Sequence, residues 1–283
     1  SAFVREGDFD QTPQTLLENK SIAFQGSIIL GMGFTFDDEN AAKNKCEPLS
    51  TMHDLIAKDP RNAERIKPYL GGSEVNTDPE HRHHRYVMDF EDFPLRREEG
   101  GKSWYQISED EREFMLKDGV VPMDYPEPVV ADWPDLLSIL ETYVKLERKN
   151  SPNADVRNYS WWKHYRARPS LTSASGAIDT VIAILFTSQF PNVVKVNSNQ
   201  LFANSLNIFC SDSDNLLALL QSNVHEIWAQ LMSSSMKDDL RYTPTDCFQN
   251  FPLAENYESR NHLHHVVSEY LAFRSEAMKN SNL

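Results

Sequence analysis

Short apolar runs along the chain predict the strands of a buried sheet. Residues 181–187 and 193–196 are mainly apolar and rich in β-branched side chains, residues 206–210 form a further, mainly apolar run, and polar or turn-forming residues separate the three, which is typical of such strands. The same kind of pattern predicts three earlier strands, at residues 24–30, 34–36 and 85–90.

Apolar residues spaced by three and four positions predict amphipathic helices between and after these strands. This spacing covers residues 134–149 and 256–278. A third run follows Ser211-Asp212-Ser213 and predicts one helix of about five turns. Its apolar positions are Leu216, Leu217, Leu220, Val224, Ile227, Trp228 and Leu231.

The first half of the chain has weaker patterns. Asp37-Asp38-Glu39 predicts a helix start, because carboxylates near a first turn meet unpaired amides. Pro48 ends that helix, and a second one follows at 51–57. Residues 91–133 are acidic and contain prolines, which favours a long loop with one short helix at 110–117. The elements together predict an α+β fold, in which a mixed sheet has flanking helices and the C-terminus is a small helical domain.

The charge is unevenly distributed. The net charge is −14, and residues 1–155 carry 18 basic and 31 acidic side chains, whereas residues 156–211 carry five basic and one acidic. Because electrostatic attraction depends on the local surface, an acidic protein can still present a phosphate-binding face. Chance variation in a polar chain would give the same distribution. No apolar run approaches the ~20 residues of a membrane span, and three well-separated cysteines favour a reducing, cytoplasmic location.

Two motifs match the residue letters of cofactor or catalytic sites but lack the companion residues or the secondary structure that those sites require. Gly31-x-Gly33 follows an apolar run, but the third glycine of an S-adenosylmethionine loop is missing and no (Asn/Asp)-Pro-Pro-Tyr tetrapeptide occurs. A tight hairpin turn explains the glycines better. Pro134-Asp135 with Glu147-Arg148-Lys149 spells a PD…ExK nuclease motif, but both halves fall in one predicted helix, over three turns apart.

Two histidine clusters, at residues 81–84 and 262–265, lack the thiolates or the HExxH spacing of zinc sites. Solvated histidines explain them better, although metal-dependent hydrolysis there is a third-ranked alternative. The chain is therefore expected to contain no catalytic residues, to hold no metal and to bind no cofactor.

The segment at residues 157–169 has the composition of a nucleic-acid contact. It interleaves four cations with four aromatic rings and contains no carboxylate. Cations neutralise phosphates, while tyrosine and tryptophan add stacking and hydrogen-bonding surface. Packing of the tryptophans in the core, with the cations merely beside them, is the competing interpretation. The predicted DNA-binding residues of this segment are Arg157, Trp162, Lys163, Tyr165, Arg166 and Arg168.

Several ordered motifs resemble one known family. They include 24–27 (FQGS), 59–63 (DPRNA), 68–72 (PYLGG), 161–169 (WW through RARP), 222–229 (S-x-x-HE-x-WA) and 240–248 (LRYTPTDCF). Together they resemble the target-recognition region of MmeI-like type II restriction–modification enzymes over about residues 20–275. Residues 43–52 and 98–130 depart from the pattern as an insertion and as an unusually long acidic stretch.

The resemblance implies a larger bacterial protein. Members of that family join an adenine-N6 DNA methyltransferase, often with a nuclease, to a domain that reads double-stranded DNA. Residues 3–235 would form the target-recognition domain and residues 236–283 the small helical C-terminal domain. S-adenosylmethionine, and magnesium in members with a nuclease, would belong to the parent protein. Its methyltransferase domain would be a partner and would precede this chain. The alternative is a protein-interaction module that docks a methyltransferase without touching DNA.

Base readers should be polar side chains on rigid backbone beside the cationic segment. Polar residues that flank the central predicted strands fit this requirement. They are Thr187, Ser188, Gln189, Lys195, Asn197, Asn199 and Gln200.

Overall fold

A computed structural model describes residues 13–190, 192–236, 239–253, 257–259 and 263–281. These residues form strands throughout the chain, which are β1 (Ala23–Gln25), β2 (Thr35–Phe36), β3 (Ile66–Leu70), β4 (Arg85–Met88), β5 (Arg96–Glu98), β6 (Val120–Pro122), β7 (Thr180–Leu185), β8 (Thr187–Ser188), β9 (Val193–Asn197), β10 (Leu201–Phe202), β11 (Leu206–Phe209), β12 (Ser234–Met236) and β13 (Asp239–Arg241).

Helices separate most of these strands. The α-helices are α1 (Asp38–Ala41), α2 (Leu49–Lys58), α3 (Gly72–Thr77), α4 (Glu109–Asp118), α5 (Pro134–Leu140), α6 (Leu146–Lys149), α7 (Ala154–Asn158), α8 (Pro169–Ser175), α9 (Asp214–Leu220), α10 (Asn223–Met232) and α11 (Leu263–Ser281). A π-helical stretch, Glu141–Lys145, joins α5 to α6. The α+β fold class is therefore confirmed.

The chain divides into two compact units. The larger unit comprises Gly26–Thr172 and Asn199–Asn204, and the smaller unit comprises Ser1–Gln25, Ser173–Ser198 and Ser205–Leu283. The predicted division into domains at 3–235 and 236–283 stays a prediction, because compactness alone does not define a functional domain. Residues 3–12 of that division lie outside the described residues.

The larger unit contains a four-stranded mixed sheet in the order β10-β3-β4-β2. β10 runs parallel to β3, and the other pairs are antiparallel. Phe34, Phe36 and Val87 are fully buried, and they pack with Leu136, Leu140 and Val144 of the helical stretch. The apolar face predicted from the 3.6-residue spacing of 134–149 is thus the face that covers the core.

The smaller unit contains an antiparallel sheet in the order β1-β11-β7-β9. β7 is buried along most of its length, as its continuous apolar run from Val181 to Leu185 predicts. Leu216, Leu217 and Leu220 of α9 lie in the same apolar cluster as β7. A second, three-stranded sheet has the order β12-β13-β8.

Three sequence predictions about local structure were wrong. The predicted five-turn helix is two helices, because the Ser222 hydroxyl accepts from the His225 amide and starts α10 anew. The predicted hairpin at Gly31-x-Gly33 does not form, since β1 pairs with β11 and β2 with β4. Residues 91–133 are not a long loop with one short helix alone, because β5 and β6 also form a parallel pair of strands there.

Other boundaries agree with the sequence. The carboxylate of Asp37 accepts from the amides of Glu39 and Asn40, which caps α1 as predicted. Pro48 directly precedes α2, and α4 covers the short helix predicted in the acidic stretch. Within the described residues the last helix begins at Leu263, since residues 256 and 260–262 of the predicted helix lie outside them. No helix in the described part is long and apolar enough to cross a membrane.

Candidate nucleic-acid interface

The cationic segment at residues 157–169 is anchored to the larger unit by its tryptophan. Trp162 is only 5% exposed, and its indole Nε1 donates to the backbone oxygen of Phe93 at 3.0 Å. The structure therefore places the Trp162 ring in the core, where it packs and offers no surface to a base. Trp161 is half-buried beside it, with the two rings edge to face at 5.9 Å.

A buried arginine fixes the backbone beneath this segment. Arg148 is 2% exposed, and its guanidinium donates to the backbone oxygens of Ser160 and Lys163 at 3.0 and 2.7 Å. The same group donates to the backbone oxygens of Ile29 and Leu30 at 2.7 to 3.1 Å. It stacks over the Phe34 ring at 5.2 Å. One side chain thus ties residues 160–163 to residues 29–30.

The electrostatics of Arg148 are unusual because no carboxylate pairs with it among the described residues. Burial lowers the pKa of Arg148 to about 10, which still leaves the group charged at neutral pH. Its hydrogen bonds also stabilise Leu30, whose φ of 49° lies in the left-handed region that branched side chains disfavour. Arg148 therefore positions backbone and does not present charge to the surface.

The positioning role of Arg148 was not predicted, although the spacing of apolar residues in the sequence contains a signal for it. Leu140, Val144 and Arg148 follow one another at intervals of four, on one face of a helical stretch. An arginine at a position that the spacing assigns to the core implies that buried hydrogen-bond acceptors surround its guanidinium. As letters alone, Glu147-Arg148-Lys149 matches only half of a nuclease signature and gives no indication of this role. The structure confirms that its two halves lie on one helical stretch, and Asp135 pairs with Lys58.

The four cations of the segment form no ion pair with a carboxylate within the described residues. Arg166 is exposed, and its main chain exchanges two 3.0 Å hydrogen bonds with Ile28. The Arg168 side chain is half-buried, and its Nε forms no hydrogen bond in the described part of the chain. The guanidinium of Arg166 lies over the Tyr165 ring at 5.7 Å, on a backbone that is held by Ile28.

The other two cations are tied to nearby carbonyls. Lys163 donates to the Asp92 backbone oxygen at 2.9 Å, and burial lowers the pKa of Lys163. Arg157 is exposed, and its Nη1 donates to the backbone oxygens of Ser151 and Pro152. Tyr165 is half-buried and lies edge to face with Tyr159 at 5.3 Å. Arg166 and Arg168 are thus the cations of this segment best placed to meet phosphates.

The predicted base readers are divided between the two compact units. Thr187, Ser188, Gln189, Lys195 and Asn197 belong to the smaller unit, whereas Asn199 and Gln200 belong to the larger. Thr187 and Gln189 are exposed, and the Ser188 hydroxyl donates to the Phe190 backbone oxygen. Asn197 and Asn199 are exposed, and Gln200 is half-buried. Their role as readers stays a prediction.

Lys195 has an internal partner. Its Nζ lies 2.5 Å from the Asp214 carboxylate and 2.7 Å from the Asp212 backbone oxygen. Partial burial acts to raise the pKa of Asp214, but hydrogen bonds from Lys195 and His264 outweigh it and the pKa is lowered. The ion pair joins β9 to the start of α9 and uses two of the three N–H donors of Lys195 inside the smaller unit.

Gly33 packs against a helical stretch, and the histidines of the described residues belong to no metal-binding group. A Cβ on Gly33 would lie 2.2 Å from the Cβ of Tyr143, so Gly33 serves the close approach of a helical stretch. That packing does not form a cradle for S-adenosylmethionine. Over the described residues no group of three His, Cys, Asp or Glu side chains is arranged to hold a metal ion. His262 lies outside those residues. Absence of cofactor and metal binding stays a prediction.

The fold and this segment define an α+β domain that presents cations and aromatic rings on a fixed backbone. Residues 147–255 match the family model described as MmeI, target recognition domain. Over those residues the chain is similar to the MmeI target recognition domain, which confirms the resemblance found in the sequence. No curated protein sequence matches the chain.

A solved structure supports the same fold. It is that of the type IIL restriction-modification enzyme MmeI in complex with DNA, with a TM-score of 0.53 and 15% identity. The match covers 92% of this chain and 28% of that enzyme's chain. This chain thus spans less than a third of the length of the enzyme that it matches.

Proposed function

We propose that this chain recognises a specific sequence in double-stranded DNA and catalyses no reaction itself. The observation that carries the proposal is that the family match includes residues 157–169, where Arg166 and Arg168 have no carboxylate partner among the described residues. Such cations release condensed counterions when they neutralise phosphates, and this release supplies much of the affinity for duplex DNA.

We further propose that the chain is part of a larger cytoplasmic restriction–modification protein. In this proposal the parent carries an adenine-N6 methyltransferase domain, with or without a nuclease, and binds S-adenosylmethionine there. Magnesium, if used, would serve the nuclease. Residues 3–235 would read the DNA, and residues 236–283 would form the appended helical domain. Double-stranded DNA and the methyltransferase domain would be its partners.

Salt dependence of binding tests the proposal. We would measure the affinity of the 283-residue chain for duplexes taken from a randomised library, at several salt concentrations. A DNA-reading surface should give a logarithm of affinity that falls linearly with the logarithm of salt concentration, and repeated selection should enrich one sequence. Weak binding without a salt slope, or no enrichment, would contradict the proposal.

A second candidate, a protein-interaction module, is favoured by one observation. Val224, Ile227 and Leu231 share one face of α10 and are 68%, 65% and 53% exposed. An apolar stripe of this kind is a common feature of protein-docking helices. Replacing all three with glutamine separates the two functions, because a DNA reader should keep its affinity whereas a docking module should lose its partner.

A further inference from the structure

The short strand β8 carries one of the predicted base readers opposite an arginine. Thr187 of β8 is the register partner of Arg241 of β13. Residues directly opposite in an antiparallel pair place their side chains on the same face of the sheet. Thr187 and Arg241 are both exposed. The smaller unit thus presents a hydroxyl and a guanidinium side by side on regular backbone.

The Arg241 guanidinium is held by stacking and not by an ion pair. Its Cζ lies 5.2 Å from the centroid of the Phe186 ring. Among the described residues no carboxylate lies within ion-pair distance of it, and Asp239, two positions earlier on β13, makes no such pair. Stacking on an aromatic face leaves all five N–H donors of the planar fork available.

Arg148 and Lys195 differ from Arg241 in how their donors are used. Arg148 is buried, and its donors are used on backbone oxygens. Lys195 is held by Asp214. Arg241 is exposed and oriented, yet no side-chain hydrogen bond engages it in the described part of the chain. An arginine that is ordered without using its donors has the properties of a ligand-binding group.

We infer that Arg241 contacts duplex DNA through its guanidinium fork, beside Thr187. The inference rests on the proposed function and adds a residue outside the cationic segment at 157–169. The acceptor is a pair of DNA oxygen or nitrogen atoms that a planar fork can bridge. Two phosphate oxygens or the O6 and N7 atoms of guanine both meet that description.

The test compares four single substitutions in the whole 283-residue chain. Arg241→Ala removes the fork, Arg241→Lys keeps the charge without the fork, and Phe186→Leu removes the stacking ring. Arg61→Ala is the matched control, since Arg61 is also exposed but is paired with Asp59 at 2.7 Å. The probes are the DNA sequence enriched from a random duplex library and a scrambled duplex. Thermal unfolding of each variant reports whether it folds.

We expect Arg241→Ala to weaken binding by roughly 5- to 150-fold on at least the enriched duplex. Loss on both duplexes with a shallower salt slope would assign the acceptor to phosphate, and loss on the enriched duplex alone would assign it to guanine. Either result supports the inference, with Phe186→Leu giving a smaller loss and Arg61→Ala none. If the acceptor is phosphate, Arg241→Lys should bind more tightly than Arg241→Ala, because the charge is kept. If the acceptor is guanine, Arg241→Lys should not recover recognition of the enriched duplex.

Folded Arg241→Ala and Arg241→Lys variants that bind both duplexes like the unsubstituted chain would overturn the inference. A loss that merely follows a lowered unfolding temperature, and disappears at a temperature where the variant is fully folded, would overturn it as well. If the unsubstituted chain itself shows no salt-dependent binding, the proposed function fails instead, so the two failures can be told apart.

Discussion

The Nε2 atom of His225 lies 2.9 Å from the hydroxyl oxygen of Tyr242, and both side chains are fully buried in the smaller unit. The His225 ring also lies edge to face with Phe251, at 4.6 Å. Burial lowers the pKa of His225 to about 4 and raises that of Tyr242 well above its usual range. Both groups are therefore neutral in the folded protein near pH 7, and α10 is linked to the residue that follows β13.

This pair predicts a loss of stability in mild acid. The unfolded chain binds a proton at His225 near pH 6.5, whereas the folded protein resists protonation until about pH 4. The unfolded state therefore binds more protons in this window, and the free energy of unfolding falls as the pH decreases from about 6.5 to about 4. The full effect is on the order of 3 kcal/mol. Urea unfolding at a series of pH values measures it.

A substituted chain separates this effect from that of the carboxylates. His225→Gln keeps a polar side chain of similar size but does not titrate. Its free energy of unfolding should be lower at pH 7 but flatter between about pH 6.5 and pH 5, where few carboxylates titrate. A variant with the same pH dependence as the unsubstituted chain would show that His225 does not cause the acid sensitivity.

Removal of the Arg148 guanidinium should destabilise the larger unit strongly. Arg148→Met fills a similar volume but leaves four backbone oxygens, two on each side, without their donor. Orphaned buried acceptors and the strained Leu30 together should cost about 3–5 kcal/mol in the free energy of unfolding. Lys149→Met is the control, because Lys149 is exposed and adjacent. Equal stability of the two variants in urea would contradict the positioning role.

Arg166 and Arg168 should contribute to DNA binding without regard to sequence. Alanine at either position should weaken binding to target and non-target duplexes alike, and each lost phosphate contact should reduce the salt slope by roughly one. Lys43→Ala serves as the control, since Lys43 is exposed and pairs with Glu39 at 2.7 Å. A salt slope that is the same in the Arg166 and Arg168 variants as in the control would mean that both arginines are structural.

The sequence predicted the strands and helices that depend on a pattern of neighbouring residues. Short, mainly apolar runs predicted β7, β9 and β11, and the 3.6-residue spacing predicted the helical stretch at 134–149. The break between α9 and α10 was missed because the apolar period continues through it, with Val224 and Ile227 exposed beyond the break. The Ser222 cap is the local signal that opposed the period.

The candidate site was less predictable, for a physical reason. Composition identified the segment at 157–169, but partners distant in the sequence decide which of its side chains face outward. Trp162 turned out to be core because its indole meets the Phe93 backbone, and Arg148 holds the segment from another helix. Spacing assigns Arg148 to a core position, but the distant partners of Arg148 and Trp162 leave no pattern within a short window of sequence.

The Lys195–Asp214 pair leads to the last prediction, which separates stability from recognition. Lys195→Met should leave the partly buried Asp214 with His264 as its remaining partner, and should lower the free energy of unfolding by about 1–3 kcal/mol. Asn199→Ala and Gln200→Ala remove two predicted base readers. If either side chain reads a base, its loss should change the preference at one position of the recognised sequence, with a cost of ~1–3 kcal/mol in binding free energy. Mapping methylated sites in cells that carry the full-length parent, together with urea unfolding of the 283-residue chain, measures both effects. A change of recognised base with Lys195→Met would show that Lys195 contributes to recognition as well as to stability, whereas unchanged sites in all three variants would place the base readers elsewhere in the domain.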